Sequence, residues 1–273
     1  MNEMIFLNGK FLAREEAKVS ILDPGFLYGS GVFETMRAYK RRIAYFDQHL
    51  KRILGSAPLL GLKPSYRAAA LKKIITEAVK INGFQDSYVR LTFWKAESGT
   101  GISVVVRKYH PPSADTYRKG FGACIARVTQ NENSMLPQIK STSRILYQLG
   151  MQDARKRGLD EAIILNSRGY IAEGTRSNIF FVHGNNIFTP FLACRCLAGI
   201  TRKAVFDLAR KYHIVINEGN FTVQDLLHAE EAFLTNSMMG VMPLTSCEGK
   251  KIGQGTCGKI TKVFIKQYNC LLK

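Results

Sequence analysis

The segment that decides the fold is IKSTSRILYQL, residues 139–149, together with YIAEGTRSNIFFV, residues 170–182. The first contains Lys140, and Glu173 follows thirty-three residues later, at the end of a predicted strand. A lysine forms a Schiff base with an aldehyde, and a carboxylate keeps a pyridine nitrogen protonated, so that the ring accepts electrons from a bound amine. Pyridoxal 5′-phosphate has both an aldehyde and a pyridine nitrogen. Our hypothesis is that Lys140 binds the aldehyde and that Glu173 lies beside the ring nitrogen.

The chain is strongly basic, with 39 Lys and Arg residues against 21 Asp and Glu among 273, and a formal net charge of +18. In such a chain an isolated lysine is most often a solvated surface charge. A charge of this size can indicate nucleic-acid binding. The basic residues are, however, spread over several predicted helices, which favours solvated helix faces or a field that attracts anionic ligands. We therefore expect a small anionic substrate and no nucleic-acid partner.

The N-terminal residues carry charges within their first apolar run, which is not typical of a secretory signal. No apolar run approaches the ~20 residues that a membrane span needs. Cys194 and Cys196 form one C-x-C pair, and no histidine cluster accompanies them, so we expect no metal site. These observations predict a cytoplasmic protein with free thiols, a hydrophobic core and no membrane contact.

The order of the predicted elements indicates two α/β domains, because hairpins outnumber regular βαβ units and imply antiparallel or mixed sheets. We predict a small N-terminal domain over 1–112, a polar linker over 113–120 and a larger C-terminal domain over 121–273 that carries Lys140. The main predicted elements are a hairpin over 4–12, a strand in 32–39, helices from 46 and over 66–81, 143–157 and 200–213, and hairpins over 161–174 and 177–190.

Three further segments suit a phosphorylated cofactor. LAGITRKAV, 197–205, places Ile200 and Thr201 at a helix N-terminus, where backbone N–H groups and the helix dipole attract a phosphate. The polar loop NSMMG, 236–240, lies between apolar strands, and Arg52 can pair with a phosphate. Each feature taken alone has a more common explanation. Thr201 would be a helix cap, the loop 236–240 an ordinary turn, and Arg52 a surface arginine.

Together these segments resemble the class IV pyridoxal-phosphate aminotransferase family, known as fold type IV. The similar motifs occur in the family's order along nearly the whole chain, and they are YGSGVFETMRAY, FDQHLKRI, IKSTSR, YIAEGTRSNIFFV, LAGITR and TNSMMGVMPL. The family includes branched-chain aminotransferases, D-amino acid aminotransferases and 4-amino-4-deoxychorismate lyases. The resemblance implies a two-domain α/β (α+β) architecture with mixed or antiparallel sheets, a cofactor between the domains, and a homodimer.

The resemblance also implies roles for single residues. Lys140 would form the Schiff base and then act as the acid and base for proton transfer. Glu173 would pair with the pyridine N–H. The phosphate would be held by Arg52, by Ile200 and Thr201, and by the loop residues Asn236, Ser237 and Met238. The backbone amides of Met238 and Met239 would face the substrate.

Within the family, the sequence favours the lyase branch. Branched-chain enzymes typically have a tyrosine five residues after the lysine, and here that position is Ile145. The loop TNSMMGVMPL resembles the lyase loop, and Arg144 and Thr35 lie where lyases often have these residues. We therefore predict an aminodeoxychorismate lyase, which releases pyruvate and 4-aminobenzoate for folate synthesis. The alternative is an aminotransferase acting on D- or branched-chain amino acids, and VFETMRAY and YVRL resemble the branched-chain branch.

The substrate carboxylates would meet Arg37, Arg90 or Lys95, with Thr35 in the same pocket. An arginine on a strand is, however, more often part of a structural ion pair. Lys95 lies where an arginine is common in the family, and a lysine lacks the planar fork by which arginine holds a carboxylate.

A third interpretation, a nucleic-acid-binding protein without catalysis, predicts a colourless protein whose binding depends steeply on salt.

Overall fold

The structure is a computed structural model and describes residues 3–272. The chain forms two compact units. Unit 1 ends at His110 and also includes Ile139–Arg144, and unit 2 comprises Pro111–Gln138 and the chain from Ile145 onward. Lys140 therefore groups with unit 1, whereas we expected it in the C-terminal domain. The division into functional domains stays a prediction.

Unit 1 is built on a six-stranded, fully antiparallel sheet. Its strands are β1 (Met4–Leu7), β2 (Lys10–Ala13), β3 (Gly31–Tyr39), β4 (Arg42–Ile43), β5 (Ser87–Ala96) and β6 (Gly99–Lys108), in the order β2-β1-β6-β5-β3-β4. Its helices are α1 (Pro24–Leu27), α2 (Phe46–Ser56) and α3 (Ala68–Asn82). The predicted hairpin over 4–12 is confirmed, and its turn residues Asn8 and Gly9 both have positive φ.

The alternation of β3 divides its side chains between two faces of the sheet. Val32 and Met36 are buried in the core that α2 and α3 cover. Phe33 and Thr35 alternate to the opposite face, and the register pairs Thr35 with Arg90 of β5. Phe33, Thr35, Arg37 and Arg90 therefore share the face of the sheet that α2 and α3 do not cover.

The segment that carries Lys140 runs beside β3 as a short additional strand. Ser141 forms an antiparallel bridge with Val32, and the N–H of Phe33 donates to the Lys140 carbonyl at 2.9 Å. Thr142 donates its N–H to the Gly31 carbonyl at 2.8 Å. A Cβ at Gly31 would lie 2.7 Å from the Phe93 carbonyl oxygen of β5 and 2.9 Å from Oγ1 of Thr142, so the packing of β3 against both neighbours requires glycine. This pairing explains why Lys140 belongs to unit 1.

Unit 2 contains a nine-stranded sheet with parallel and antiparallel pairs, as the sequence predicts. Its strands are β7 (Phe121–Gln130), β8 (Glu161–Asn166), β9 (Ile171–Gly174), β10 (Asn178–His183), β11 (Asn186–Pro190), β12 (Ile216–Gly219), β13 (Glu231–Asn236), β14 (Gly240–Cys247) and β15 (Lys250–Lys251). The path is β12-β11-β10-β13-β14-β7-β8-β9, with β15 paired to β14. Its helices are α4 (Ala114–Lys119), α5 (Ile145–Lys156), α6 (Ile200–Lys211), α7 (Val223–Leu227) and α8 (Lys259–Leu271).

The helices of unit 2 follow from local sequence signals. Strands β7 and β8 are parallel, so the chain between them needs a crossover connection, and helix α5 provides it. The predicted linker 113–120 contains α4, because the Ser113 hydroxyl accepts the Thr116 N–H and caps that helix. Across residues 3–272, none of the helices combines the length and apolar character needed to cross a bilayer. The predicted mixed α/β fold is confirmed.

Candidate active site

Lys140 and Arg90 of unit 1 both approach the ring of Phe33. The Nζ atom of Lys140 lies 4.9 Å from the ring centroid, and the Cζ atom of Arg90 lies 3.7 Å from it. Phe33 is buried, whereas Lys140 and Arg90 are half-buried. The arrangement puts an amine and a guanidinium against one aromatic surface, on the sheet face that also carries Thr35.

Arg52 is held by a buried carboxylate that the sequence did not single out. Glu34 is fully buried; its Oε1 accepts the Arg52 Nε–H at 2.6 Å and its Oε2 accepts an Nη2–H at 2.7 Å. Burial alone raises the pKa of Glu34, but the charge and hydrogen bonds of Arg52, with the hydrogen bond to His49, outweigh it and lower the pKa to about 2. Glu34 is therefore ionised at neutral pH and fixes the plane of the guanidinium.

His49 completes this buried cluster. Its Nδ1 lies 2.7 Å from Oε2 of Glu34. Burial lowers the pKa of His49, the positive charges of Arg52 and Lys140 lower it further, and Glu34 opposes them. The imidazole is therefore neutral at pH 7 and donates its Nδ1–H to Glu34.

The other predicted substrate residues of unit 1 lie in different settings. Arg37 is buried, its Nη2 lies 4.0 Å from Oδ2 of Asp86, and its guanidinium lies 5.2 Å from the ring centroid of Tyr109. This is the structural ion pair that the sequence left open. Lys95 is exposed, and strand alternation directs it away from the face that carries Arg90. The structure thus brings Lys140, Arg90 and Thr35 to one face, which Arg37 shares from within its ion pair, and does not bring Lys95 there.

Glu173 of unit 2 is a buried carboxylate that accepts hydrogen bonds from Tyr147, Gln130 and Leu197. Its Oε1 accepts the Tyr147 O–H at 2.9 Å and the Gln130 Nε2–H at 3.1 Å. Its Oε2 accepts the Leu197 N–H at 2.9 Å. The carboxylate is therefore fixed in orientation and its negative charge is stabilised by three donors.

The N-terminus of α6 forms a close turn around Gly199, the residue before the helix. A Cβ at Gly199 would collide with Oδ1 of Asn178, whose Nδ2 donates to the Leu197 carbonyl at 2.8 Å. Ile200 and Thr201 begin the helix, and Oγ1 of Thr201 lies 3.3 Å from the hydroxyl of Tyr268. N–H groups in a first helical turn have no carbonyl partner within the helix, so they suit an anion.

The loop Asn236–Gly240 differs from our expectation. Oδ1 of Asn236 accepts the N–H groups of Met238 and Met239, each at 2.9 Å, which closes an Asx-type turn. The Met239 carbonyl accepts the hydroxyl of Tyr117 at 2.5 Å. The amides that we expected to face phosphate or substrate are thus used inside the loop. Ser237, at its tip, is half-buried.

Each unit carries residues with the chemistry that pyridoxal phosphate requires. Lys140 offers an amine beside an aromatic ring, Glu173 offers a buried and oriented carboxylate, and the turn at Gly199 precedes a helix N-terminus. Beside Glu173, Oε1 of Gln130 is buried and has no hydrogen-bond partner within the part of the chain that the structure describes. A buried polar atom of this kind is common at ligand sites.

Sequence reasoning missed Glu34, His49, Gln130 and Tyr147. The sequence could have indicated Glu34, because strand alternation places it on the same buried face of β3 as Val32 and Met36. A carboxylate is unusual at such a core position. His49 lies three residues before Arg52 on α2, a spacing that puts both on one helix face. Gln130 and Tyr147 had no such signal, since only the tertiary fold brings them to Glu173.

The chain is similar to known aminotransferases over most of its length. The family model described as amino-transferase class IV matches residues 31–247. A putative branched-chain-amino-acid aminotransferase of Methanocaldococcus jannaschii is 32% identical over 94% of this chain and 92% of its own length. A D-alanine aminotransferase of Bacillus licheniformis is 31% identical over 94% of this chain and 93% of its own length.

The solved structures agree with this assignment. A branched-chain aminotransferase from the archaeon Thermoproteus uzoniensis, solved with norvaline, has a TM-score of 0.92 and is 30% identical, covering 100% of this chain and 95% of its own. A second branched-chain enzyme, solved with pyridoxamine 5′-phosphate, has a TM-score of 0.94 at 28% identity, covering 98% of this chain and 93% of its own. These relatives are named aminotransferases, which favours the alternative interpretation over the lyase. The chain belongs to the class IV aminotransferases, a family of pyridoxal-phosphate enzymes, and the predicted cofactor is confirmed at the level of that family.

Proposed function

We propose that the chain is an aminotransferase that acts on branched-chain or D-amino acids. The relatives described above support the reaction. The observation that carries the proposal is the arrangement around Phe33, where the amine of Lys140 and the guanidinium of Arg90 approach one aromatic ring. A small apolar amino acid has a side chain that packs on such a ring and a carboxylate that pairs with a guanidinium.

When bound, the cofactor supplies an electron sink that stabilises a carbanion on the donor amino acid. Lys140 holds the cofactor and moves the proton to and from the α-carbon through its Nζ. Glu173 keeps the ring nitrogen protonated. Arg52, oriented by Glu34, and the first turn of α6 at Ile200 and Thr201 bind the phosphate.

The loop and the remaining polar residues have secondary roles in this proposal. Ser237 contributes to phosphate binding through its hydroxyl, whereas Asn236 keeps the loop closed around Met238 and Met239. Thr35 lines the substrate face beside Arg90. Arg37 keeps its structural ion pair with Asp86 and does not contact the substrate.

We also propose that the protein is a homodimer, as the family resemblance implies. The segment 19–28 exposes six large apolar side chains, each between 51% and 74% accessible: Val19, Ile21, Leu22, Phe26, Leu27 and Tyr28. Exposed large apolar side chains concentrated in one short segment are typical of an interface. A second copy of the chain is the partner that would cover it.

The experiment that tests the proposed reaction uses the acceptor dependence of turnover. Protein with bound cofactor is mixed with L-leucine or with D-alanine, without a keto acid. We expect one stoichiometric change of the cofactor absorbance, followed by turnover only when 2-oxoglutarate is added. The donor that reacts distinguishes a branched-chain L-amino acid substrate from a small D-amino acid substrate, and Lys140→Ala should remove the reaction with both donors.

The lyase interpretation is tested in the same apparatus. Aminodeoxychorismate is supplied without an acceptor, and pyruvate and 4-aminobenzoate are measured. An aminotransferase gives at most one equivalent of spectral change. Sustained, equimolar release of both products would contradict the proposed function, because elimination needs no acceptor.

A further inference from the structure

Gln130 and Tyr147 surround the buried carboxylate of Glu173, and three elements of unit 2 bring them there. Gln130 is the last residue of β7, Tyr147 lies in the first turn of α5, and Glu173 lies on β9. Each pair of these side chains is joined by a hydrogen bond. Nε2 of Gln130 donates to the Tyr147 oxygen at 3.0 Å and to Oε1 of Glu173 at 3.1 Å, and the Tyr147 hydroxyl donates to Oε1 of Glu173 at 2.9 Å.

The hydroxyl of Tyr147 acts both as hydrogen-bond acceptor and as hydrogen-bond donor. Tyr147 accepts from Gln130 and donates to Glu173, so its O–H direction is fixed. Gln130 is almost completely buried and its amide spans both partners. The Leu197 N–H holds the second oxygen of Glu173. The carboxylate thus has one orientation, and the side chains of Gln130 and Tyr147 are two of the donors that fix it.

The number of donors on a carboxylate controls its basicity. Each hydrogen bond that Glu173 accepts stabilises its ionised form and weakens its attraction for a further proton. A carboxylate with fewer donors is more basic and competes more strongly with the ring nitrogen for the proton that they share. Loss of a donor therefore shifts this proton away from the ring and weakens the electron sink.

We propose that Tyr147 and Gln130 are positioning residues that orient Glu173 and keep the shared proton on the ring nitrogen of the cofactor. This inference rests on the proposed role of Glu173. It goes beyond the proposed function because it assigns control of the electron sink to two side chains that themselves act through Glu173.

The test uses the protein with bound cofactor and two variants, Tyr147→Phe and Gln130→Met. Each removes one donor and preserves most of the side-chain volume. The midpoint of the pH titration of the cofactor absorbance should shift by about one pH unit in either variant. One hydrogen bond to a charged group accounts for roughly a tenfold change in a protonation equilibrium. In steady state, kcat should fall about tenfold while KM changes less than about twofold.

Two controls separate positioning from a merely structural role. Tyr212→Phe, at the end of α6, should leave the absorbance titration unchanged. In a Glu173→Gln background, adding Tyr147→Phe should produce no further shift, because Tyr147 acts through the charge that is already absent. An equal shift with and without Glu173 would overturn the inference.

The outcomes also separate this inference from the proposed function. A protein that never binds the cofactor refutes both. If the cofactor binds but its absorbance titration is the same in Tyr147→Phe, Gln130→Met and the wild type, this inference alone is refuted. That holds even if the variants have altered melting temperatures. If Tyr147→Phe fails to fold, Gln130→Met decides the question by itself. The absorbance titration does not depend on which reaction follows, so a lyase with shifted variants would refute the proposed reaction and leave this inference standing.

Discussion

Replacing Glu34 by glutamine should destabilise unit 1 and remove a specific part of its pH dependence. Glu34 is fully buried and accepts two hydrogen bonds from Arg52 and one from His49. The variant Glu34→Gln keeps the shape of the side chain but removes its charge. Arg52 then loses its buried counter-ion, which is costly because an uncompensated charge remains.

The magnitude follows from the pKa of Glu34. Its environment lowers the pKa from 4.5 to about 2. One pKa unit corresponds to about 1.4 kcal/mol, so the ionised form contributes about 3 kcal/mol of folding free energy at neutral pH. Because the pKa of the folded state is depressed, this contribution is present above about pH 4.5 and is lost as the pH falls towards 2.

The assay can follow unit 1 by itself, because the chain has a single tryptophan, Trp94, which lies on β5 of that unit. Urea unfolding monitored by Trp94 fluorescence gives the free energy of unfolding at each pH. We expect Glu34→Gln to lose about 3 kcal/mol at pH 7. Between pH 7 and about 3.5, the wild type should lose about 1 kcal/mol more than the variant.

The matched control is Glu77→Gln, which removes an exposed carboxylate on α3 of the same unit. Its unfolding free energy should stay within about 0.5 kcal/mol of the wild type, as for most surface substitutions. A Glu34→Gln protein as stable as this control at pH 7, with the pH dependence of the wild type, would refute the reasoning about the buried cluster.

Three further predictions concern other parts of the chain. Gly199→Ala introduces a Cβ that collides with Asn178, so cofactor affinity measured by equilibrium dialysis should fall at least about tenfold, and unchanged affinity would argue against a phosphate at this turn. In the native protein a thiol reagent should modify Cys270 first, because the other five thiols are buried and burial raises the pKa of Cys196 to about 12; rapid modification of Cys196 would contradict the structure. Phe26→Asp places a charge in the exposed apolar segment and should shift sedimentation from dimer to monomer, whereas an unchanged dimer would place the interface elsewhere.

Much of the fold follows from local patterns in the sequence. The alternation of β3 predicts which side chains face α2 and α3, and Asn8-Gly9 predicts the first hairpin. Helix α6 begins where LAGIT predicts, at Ile200. In these cases the determining interactions lie within a few residues of one another, so that periodicity and turn residues are sufficient.

The parts that escaped prediction depend on contacts between distant residues. Lys140 groups with unit 1 because its segment pairs with β3, more than a hundred residues away, and nothing near Lys140 signals that pairing. The choice between lyase and aminotransferase rested on the loop at Asn236, whose Asx-type turn gives no information about the reaction. Fold and cofactor are shared across the family, whereas the reaction depends on pocket shape, which short motifs do not encode.

The central claim is that Lys140 is the residue that holds the cofactor. The most direct test reduces the cofactor-loaded protein with borohydride, which fixes the cofactor to the lysine that carries it, and then identifies the modified peptide by mass spectrometry. We predict a single modified peptide that contains IKSTSR, with the label on Lys140 and none in a Lys140→Ala protein. A label on another lysine, or the same labelling in Lys140→Ala, would contradict the account.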